Sequence, residues 1–233
     1  MMPKPFLFCL FLVTSAFSYS QEPQISSDER VINLSTFINL KIYSGIEVKL
    51  IPSQENKVVI SGEARQDVVA KIKGQTLKLR HTLEHILNPS YTYIELFHSE
   101  PLDEISLYQG TQLETDHTYQ QTSIFLKVQE GSTMRFKFEG DKLTSLVSTG
   151  GQLFLSGRST THHSVVNSGG ACEAETFITE QTKTSVTAGG LSYVNATKLI
   201  EAKVTAGGTI RIHGKPQKLV TKKAIGGQIF EME

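Results

Sequence analysis

The sequence predicts an all-β fold, a right-handed parallel β-helix or β-solenoid of about 19-residue coils, with N-terminal strands capping the first coil. Three observations carry that prediction. A glycine pair returns at Gly150-Gly151, Gly169-Gly170, Gly189-Gly190, Gly207-Gly208 and Gly226-Gly227, in steps of 19, 20, 18 and 19 residues. The single glycines Gly131 and Gly110 extend the series backwards by 19 and 21. Three residues before the first glycine stands Val128, Val147, Val166, Val186 or Val204. After the glycines, apolar residues alternate as Met134 and Phe136, Leu153 and Leu155, Cys172 and Ala174, Ile210 and Ile212, the pattern of a strand with one inward face. Such a unit cannot bury its apolar face alone, so neighbours must stack. A helical repeat is excluded, because each interior glycine would cost about 1 kcal/mol relative to alanine.

From the N-terminus, Lys4, the apolar run Phe6 to Val13 and the small residues Ser15, Ala16, Ser18 and Ser20 read as a secretory signal peptide over 1–20. The run is well short of the roughly 20 apolar residues that a spanning helix needs. Residues 21–30 are polar and read as a disordered linker. A single domain is expected over 31–233, with a strand region at 31–98 and the glycine-pair coils at 99–233. Strand candidates in the first region are 37–43, 46–51, 57–61, 77–80 and 91–97, bounded by turn residues such as Ser44-Gly45, Pro52-Ser53 and Lys73-Gly74. Residues 66–73 read as a short helix or another strand, and 84–90 as a long loop.

In the coils each unit reads x-Val-polar-x-Gly-Gly-x-apolar-x-apolar, with the glycines at a corner where φ > 0 is expected. The polar column Gln129, Ser148, Asn167, Thr187 and Thr205 can bond a copy of itself one rung away. Glu231 and Glu233 place charge on the last edge, which opposes further stacking.

Charge is balanced at 23 basic and 23 acidic residues, and removal of 1–20 takes away Lys4 alone. That leaves no electrostatic footprint for nucleic acid or an anionic membrane surface. Past residue 20 the one cysteine is Cys172, in an inward column, so an intramolecular disulfide and a cysteine metal cluster are both ruled out.

The run Ser44-Gly45-Ile46-Glu47-Val48-Lys49-Leu50-Ile51, then Lys57-Val58-Val59-Ile60-Ser61-Gly62, then the coils ending in Thr205 to Pro216 and Ile225 to Ile229, resembles the bacterial head GIN domain family. Its members are described as auto-transporter adhesin head domains. The resemblance spans Phe37 to Ile229 and implies an exported parallel β-helix with no catalytic residues to carry over. An autotransporter also carries a membrane barrel, for which no residues remain after Glu233. Export to either the periplasm or the cell surface of a Gram-negative bacterium is therefore expected.

Candidate chemistry is sparse. Glu173 and Glu175 lie two apart on a strand and face outward if Cys172 and Ala174 face inward, the minimum pair for glycoside hydrolysis. Asp116, Glu139 and Asp141 are the other acids weighed. His162-His163 and Asp116-His117 are poor metal ligands, since adjacent strand residues face opposite sides; one imidazole of the histidine pair is expected in solvent and the other at a corner. The glycine pairs lack the lysine and hydroxyl of a phosphate loop. The chain has no tryptophan, which leaves Tyr91, Tyr93 and Tyr193 as aromatic surfaces for a sugar. The sequons at Asn33 and Asn195 matter only in a glycosylating pathway. The sequence is read as an exported non-enzymatic scaffold for adhesion or envelope binding, without catalytic residues, cofactor or metal. Its site residues are structural, the corner glycines Gly150, Gly151, Gly169, Gly170, Gly189, Gly190, Gly207, Gly208, Gly226 and Gly227. The partner is an envelope, glycan or protein ligand, and a homo-oligomer is compatible with the pattern. The alternative is a carbohydrate-active enzyme, a polysaccharide lyase or hydrolase using Glu173 and Glu175.

Overall fold

A computed structural model describes residues 29–84 and 91–232. The expected leader over 1–20 and all of the 21–30 linker but its last two residues lie outside them, as does the 84–90 loop beyond Glu84. The N-terminal region holds β1 (Arg30–Asn33), β2 (Asn39–Ile42), β3 (Glu47–Pro52), β4 (Lys57–Ser61), β5 (Val68–Lys73), β6 (Thr76–His81), β7 (Tyr93–His98) and β8 (Glu104–Leu107). The coils hold β9 (Gln112–Val128), β10 (Thr133–Val147), β11 (Gln152–Val166), β12 (Ala171–Thr187), β13 (Leu191–Thr205), β14 (Gly208–His213), β15 (Lys218–Lys223) and β16 (Gly227–Glu231). Arg30 begins β1, so the linker boundary falls earlier than expected. Residues 66–73 are both things expected of them in part, a short 3-10 turn at Arg65–Asp67 and then β5.

β9 to β13 pair in parallel, each on the next, and the valines fall in one register: Val128 on Val147, Val166, Val186 and Val204 in turn. All five are fully buried, as are Met134, Leu153, Cys172 and Ile210 on the facing wall. Each long strand is one rung bent in the middle, so a rung has a glycine corner at one end and a second, glycine-poor corner halfway along.

At the glycine corner Gly151 N–H donates to the Ser148 carbonyl at 2.9 Å, closing a turn whose central residues Thr149 (φ 50°) and Gly150 (φ 71°) are both left-handed. Successive corners stitch together: Gly131 N–H donates to Thr149 O at 3.0 Å and Gly169 N–H to Ala188 O at 3.1 Å. The left-handed role expected of both glycines therefore belongs to the first glycine and, at every pair but Gly226-Gly227, the residue before it, with Gly208 the one second glycine at positive φ (107°). The second glycine answers to space instead. A Cβ on Gly170 would lie 2.8 Å from the Val147 carbonyl oxygen of the rung beneath, and one on Gly151 would collide with the Val128 oxygen.

The N-terminal strands cap the column as expected, and they also extend it. β2 and β3 flank the left-handed corner Ser44 (φ 69°) and Gly45 (φ 67°), pair in parallel with β8 and β9, and so form a full rung. β6 and β7 form the rung beyond, parallel to β2 and β3. In space the rung of β6 and β7 comes before that of β2 and β3, the reverse of chain order. The closing cover is antiparallel, with β5 on β6, β4 on β7 and β1 on β4; antiparallel pairing interrupts the coil that would otherwise offer a matching parallel edge.

At the other end, β15 and β16 stack on β13 and β14. There the inward columns turn polar: Thr221 follows Ala202, Lys223 follows Val204, and Glu231 follows Ile212. Inward charges on the last rung work against a further strand, which is the role expected of Glu231; Glu233 lies outside the described residues.

Candidate functional site

The second corner carries the irregularity of the fold. Between Arg135↔Glu114 and Lys137↔Thr118, one residue of β10 faces three of β9, so β9 bulges over Thr115, Asp116 and His117. The bulge is held by Thr115 Oγ1, which accepts from His117 N–H at 3.1 Å, and by the Lys49–Asp116 ion pair at 2.7 Å. That pair holds the Asp116 carboxyl below its usual range and the Lys49 ammonium above its own. β12 bulges likewise, where Phe154↔Glu173 gives way to Ser156↔Thr176. The displaced strands leave grooves along this corner.

A groove of about 440 Å³ lies beside the β9 bulge between Pro52-Ser53-Gln54, His98 to Pro101 and Thr118 to Gln121. Its floor is a buried couple. His98 Nδ1–H donates to the Glu100 carbonyl at 2.9 Å, so Nε2 is the acceptor for the Tyr119 hydroxyl at 2.8 Å. Tyr119 stacks between His98 (5.5 Å between ring centres) and Phe136 (4.8 Å). Burial lowers the His98 pKa and raises that of Tyr119, which keeps both neutral.

Glu173 and Glu175 do share a groove, one of about 180 Å³, with Arg135, Lys137 and Phe154 on its other side. Their simple two-apart spacing is broken by the β12 bulge: Glu173 keeps its place in the ladder, while Glu175 and Thr176 are both exposed at the bend. Two cations therefore face the acidic pair.

The remaining candidates separate. His162 is not at a corner; it is 2 % exposed inside the solenoid, with Nε2 3.0 Å from Ser145 Oγ and its ring edge-on to Phe177. Burial pushes its pKa down to about 3. His163 is exposed. Ser145, Ser164 and Thr184 continue a polar column within the core, which the apolar alternation of the opposite wall gives no reason to expect. Cys172 is buried, with its thiol pushed up to about 11 by desolvation. Tyr91 is exposed, and the Tyr193 hydroxyl accepts from Arg211 at 2.7 Å. Among the described residues no group of three His, Cys, Asp or Glu side chains is placed to hold a metal ion, and no described helix is long and apolar enough to cross a membrane.

On the outer face of the first half-rungs, one side chain per strand forms a continuous ladder. In order across nine strands it reads Glu95, Lys49, Glu114, Arg135, Phe154, Glu173, Tyr193, Arg211 and Phe230. Opposite charges alternate first, then cations and rings: Arg135 lies 4.1 Å over the Phe154 ring and Arg211 5.2 Å over Tyr193. At a strand spacing of about 4.8 Å the ladder runs roughly 38 Å.

The profile of the family described as "Putative auto-transporter adhesin, head GIN domain" matches residues 36–216. Several solved structures share the fold. A putative adhesin from Bacteroides fragilis superposes with a TM-score of 0.77 at 18% identity, covering 88% of this chain and 96% of that one. A putative adhesin from Parabacteroides merdae gives 0.69 at 14% identity, covering 89% and 98%. A protein from Parabacteroides distasonis described as a putative lipid binding protein gives 0.66 at 15% identity, also covering 89% and 98%. No curated protein matches the chain.

Proposed function

The chain belongs to the head GIN domain family, and on that premise we propose that it is an exported, non-enzymatic adhesion scaffold that holds a cell-envelope, glycan or protein ligand against the outer face of its solenoid. The observation that carries this reading is the nine-strand ladder. It offers acids, cations and aromatic rings at a constant spacing on one open sheet, which suits an extended partner bound by modest contacts per rung. Adhesin names among the fold neighbours agree with it; the lipid-binding name of one neighbour fits less well, since the exposed ladder alternates charge with aromatics and offers no apolar trough. The acidic pair is weak support for hydrolysis, because Arg135 and Lys137 line the same groove and tie it to the ladder.

Binding of the full chain to isolated envelopes tests the proposal. The variant Arg135→Ala, Tyr193→Ser, Arg211→Ala should lose about tenfold or more in affinity, about 1.4 kcal/mol, with an unchanged melting temperature. Reducing ends released from a glycan panel, and lost in Glu175→Gln, would replace the scaffold by an enzyme.

A further inference from the structure

We infer that the groove beside the β9 bulge is a binding site for a neutral saccharide unit. The inference rests on the reading of the chain as a binding scaffold but not on Arg135, Tyr193 or Arg211 of the outer ladder, none of which lines this groove.

The first reason is shape. Register between β3 and β9 ends at Lys49↔Glu114, and the bulge that follows carries β9 away from the second half of β3. The gap is a concavity of about 440 Å³, within the roughly 300–1,000 Å³ usual for small-ligand sites. It is built into the fold by the Lys49–Asp116 pair and the Thr115–His117 contact.

Charge supplies the second reason. No lysine or arginine lines the groove, and its single carboxylate belongs to Glu100. A phosphate, sulfate or uronate would enter without a counter-charge and beside a like charge, which disfavours anions. A lipid chain finds prolines, amides and hydroxyls where it would need a continuous apolar wall.

The third reason is the hydrogen-bonding chemistry. Side-chain amides both donate and accept, as sugar hydroxyls do, and three of them, Gln54, Gln120 and Gln121, reach the groove. Gln121 is held by its Nε2–H bonds to Leu102 O at 2.8 Å and Ser123 O at 2.6 Å. Its Oε1 is left to accept from a ligand. Pro52 and Pro101 supply the apolar surface that the C–H face of a sugar needs, over a floor closed by the buried Tyr119. The His98–Tyr119 couple acts as a positioning pair, fixing the floor of the groove before any ligand arrives, which lowers the ordering cost of binding.

Saturation-transfer NMR and calorimetry on the full chain, with glucose, galactose, N-acetylglucosamine and their β-linked disaccharides as probes, test the inference. At least one should bind with a Kd of about 1 mM or tighter. Gln54 and Gln120 are exposed, so Gln54→Ala with Gln120→Ala should leave the melting temperature in place and weaken that binding about tenfold, the loss of one or two hydrogen bonds. The ladder variant Arg135→Ala, Tyr193→Ser, Arg211→Ala should bind the same sugar as the parent does, which separates this site from the outer face. No transfer from any probe at about 10 mM, or binding indifferent to the double substitution, overturns the inference. So does preferential binding of a sulfated sugar or of an extended peptide.

Discussion

Gly169 and Gly170 are adjacent and chemically identical, and the fold uses them differently. Gly169 has φ 71° with nothing within 4 Å of where a Cβ would stand, so its constraint is conformational. Asparagine also enters the left-handed region, and Gly169→Asn should cost less than about 1 kcal/mol, whereas a β-branched residue there, or in Gly189→Val at φ 76°, should cost about 1–3 kcal/mol of strain. Gly170 is conformationally ordinary, but a Cβ there would stand 2.8 Å from the Val147 carbonyl oxygen. Gly170→Ala must push two rungs apart and should cost about 1–3 kcal/mol as ladder bonds lengthen. Urea unfolding of the three variants compares them directly. A neutral Gly170→Ala would refute the close-approach account of the second column.

At the scale of the strand, β15 and β16 end the column by changing what points inward. Leu219 and Ile229 still pack on the core, but Lys223 continues the valine column and Glu231 the Ile212 column. Nearby, Ile225 is 90% exposed and Phe230 45%, so the end is apolar enough to attract another rung and is guarded by those two charges. The double variant Lys223→Val, Glu231→Val removes the guard while keeping β-propensity. It should increase end-to-end association, seen as a rise in mass by light scattering after gel filtration. A variant with the mass profile of the parent would show that the charges do not guard this end.

Across the whole molecule, neutral histidines are buried in rungs far apart in sequence. His98 anchors the first coils, and His162 lies in the middle of the column against Ser145 and Phe177. Burial lowers the pKa of both, that of His162 to about 3. Above pH 6.5, the ordinary histidine value, each is neutral folded and unfolded and has no effect on the balance. Below it the unfolded chain takes up protons that the folded chain refuses, so stability falls with decreasing pH by up to about 1.4 kcal/mol per unit for each histidine. For His162 the loss continues to about pH 3. Urea midpoints should therefore drop between pH 7.5 and 5, and the drop should be smaller in His162→Gln. An equal pH dependence in that variant would mean that His162 takes up its proton while folded.

The sequence by itself determined the repeat, the inward valines and the corner positions, because each depends on residues one coil apart, and stacking in register copies the same local choice on every rung. Even the irregularities left a trace. The long steps of 21 from Gly110 to Gly131 and 20 from Gly169 to Gly189 enclose the bulges of β9 and β12, which shape the two grooves. What those extra residues enclose was not legible, since the 440 Å³ groove needs His98 and Pro52 to meet Tyr119 from separate rungs. Tertiary structure alone decided that β6 and β7 lie outside β2 and β3, that His162 is interior, and that Glu175 leaves the column of Glu173. Each outcome depends on pairings such as Glu47 with Gln112, between segments that share no periodic signal. Sequence period reports contacts that recur; a contact made once has nothing to repeat, and only the folded chain brings its two sides together.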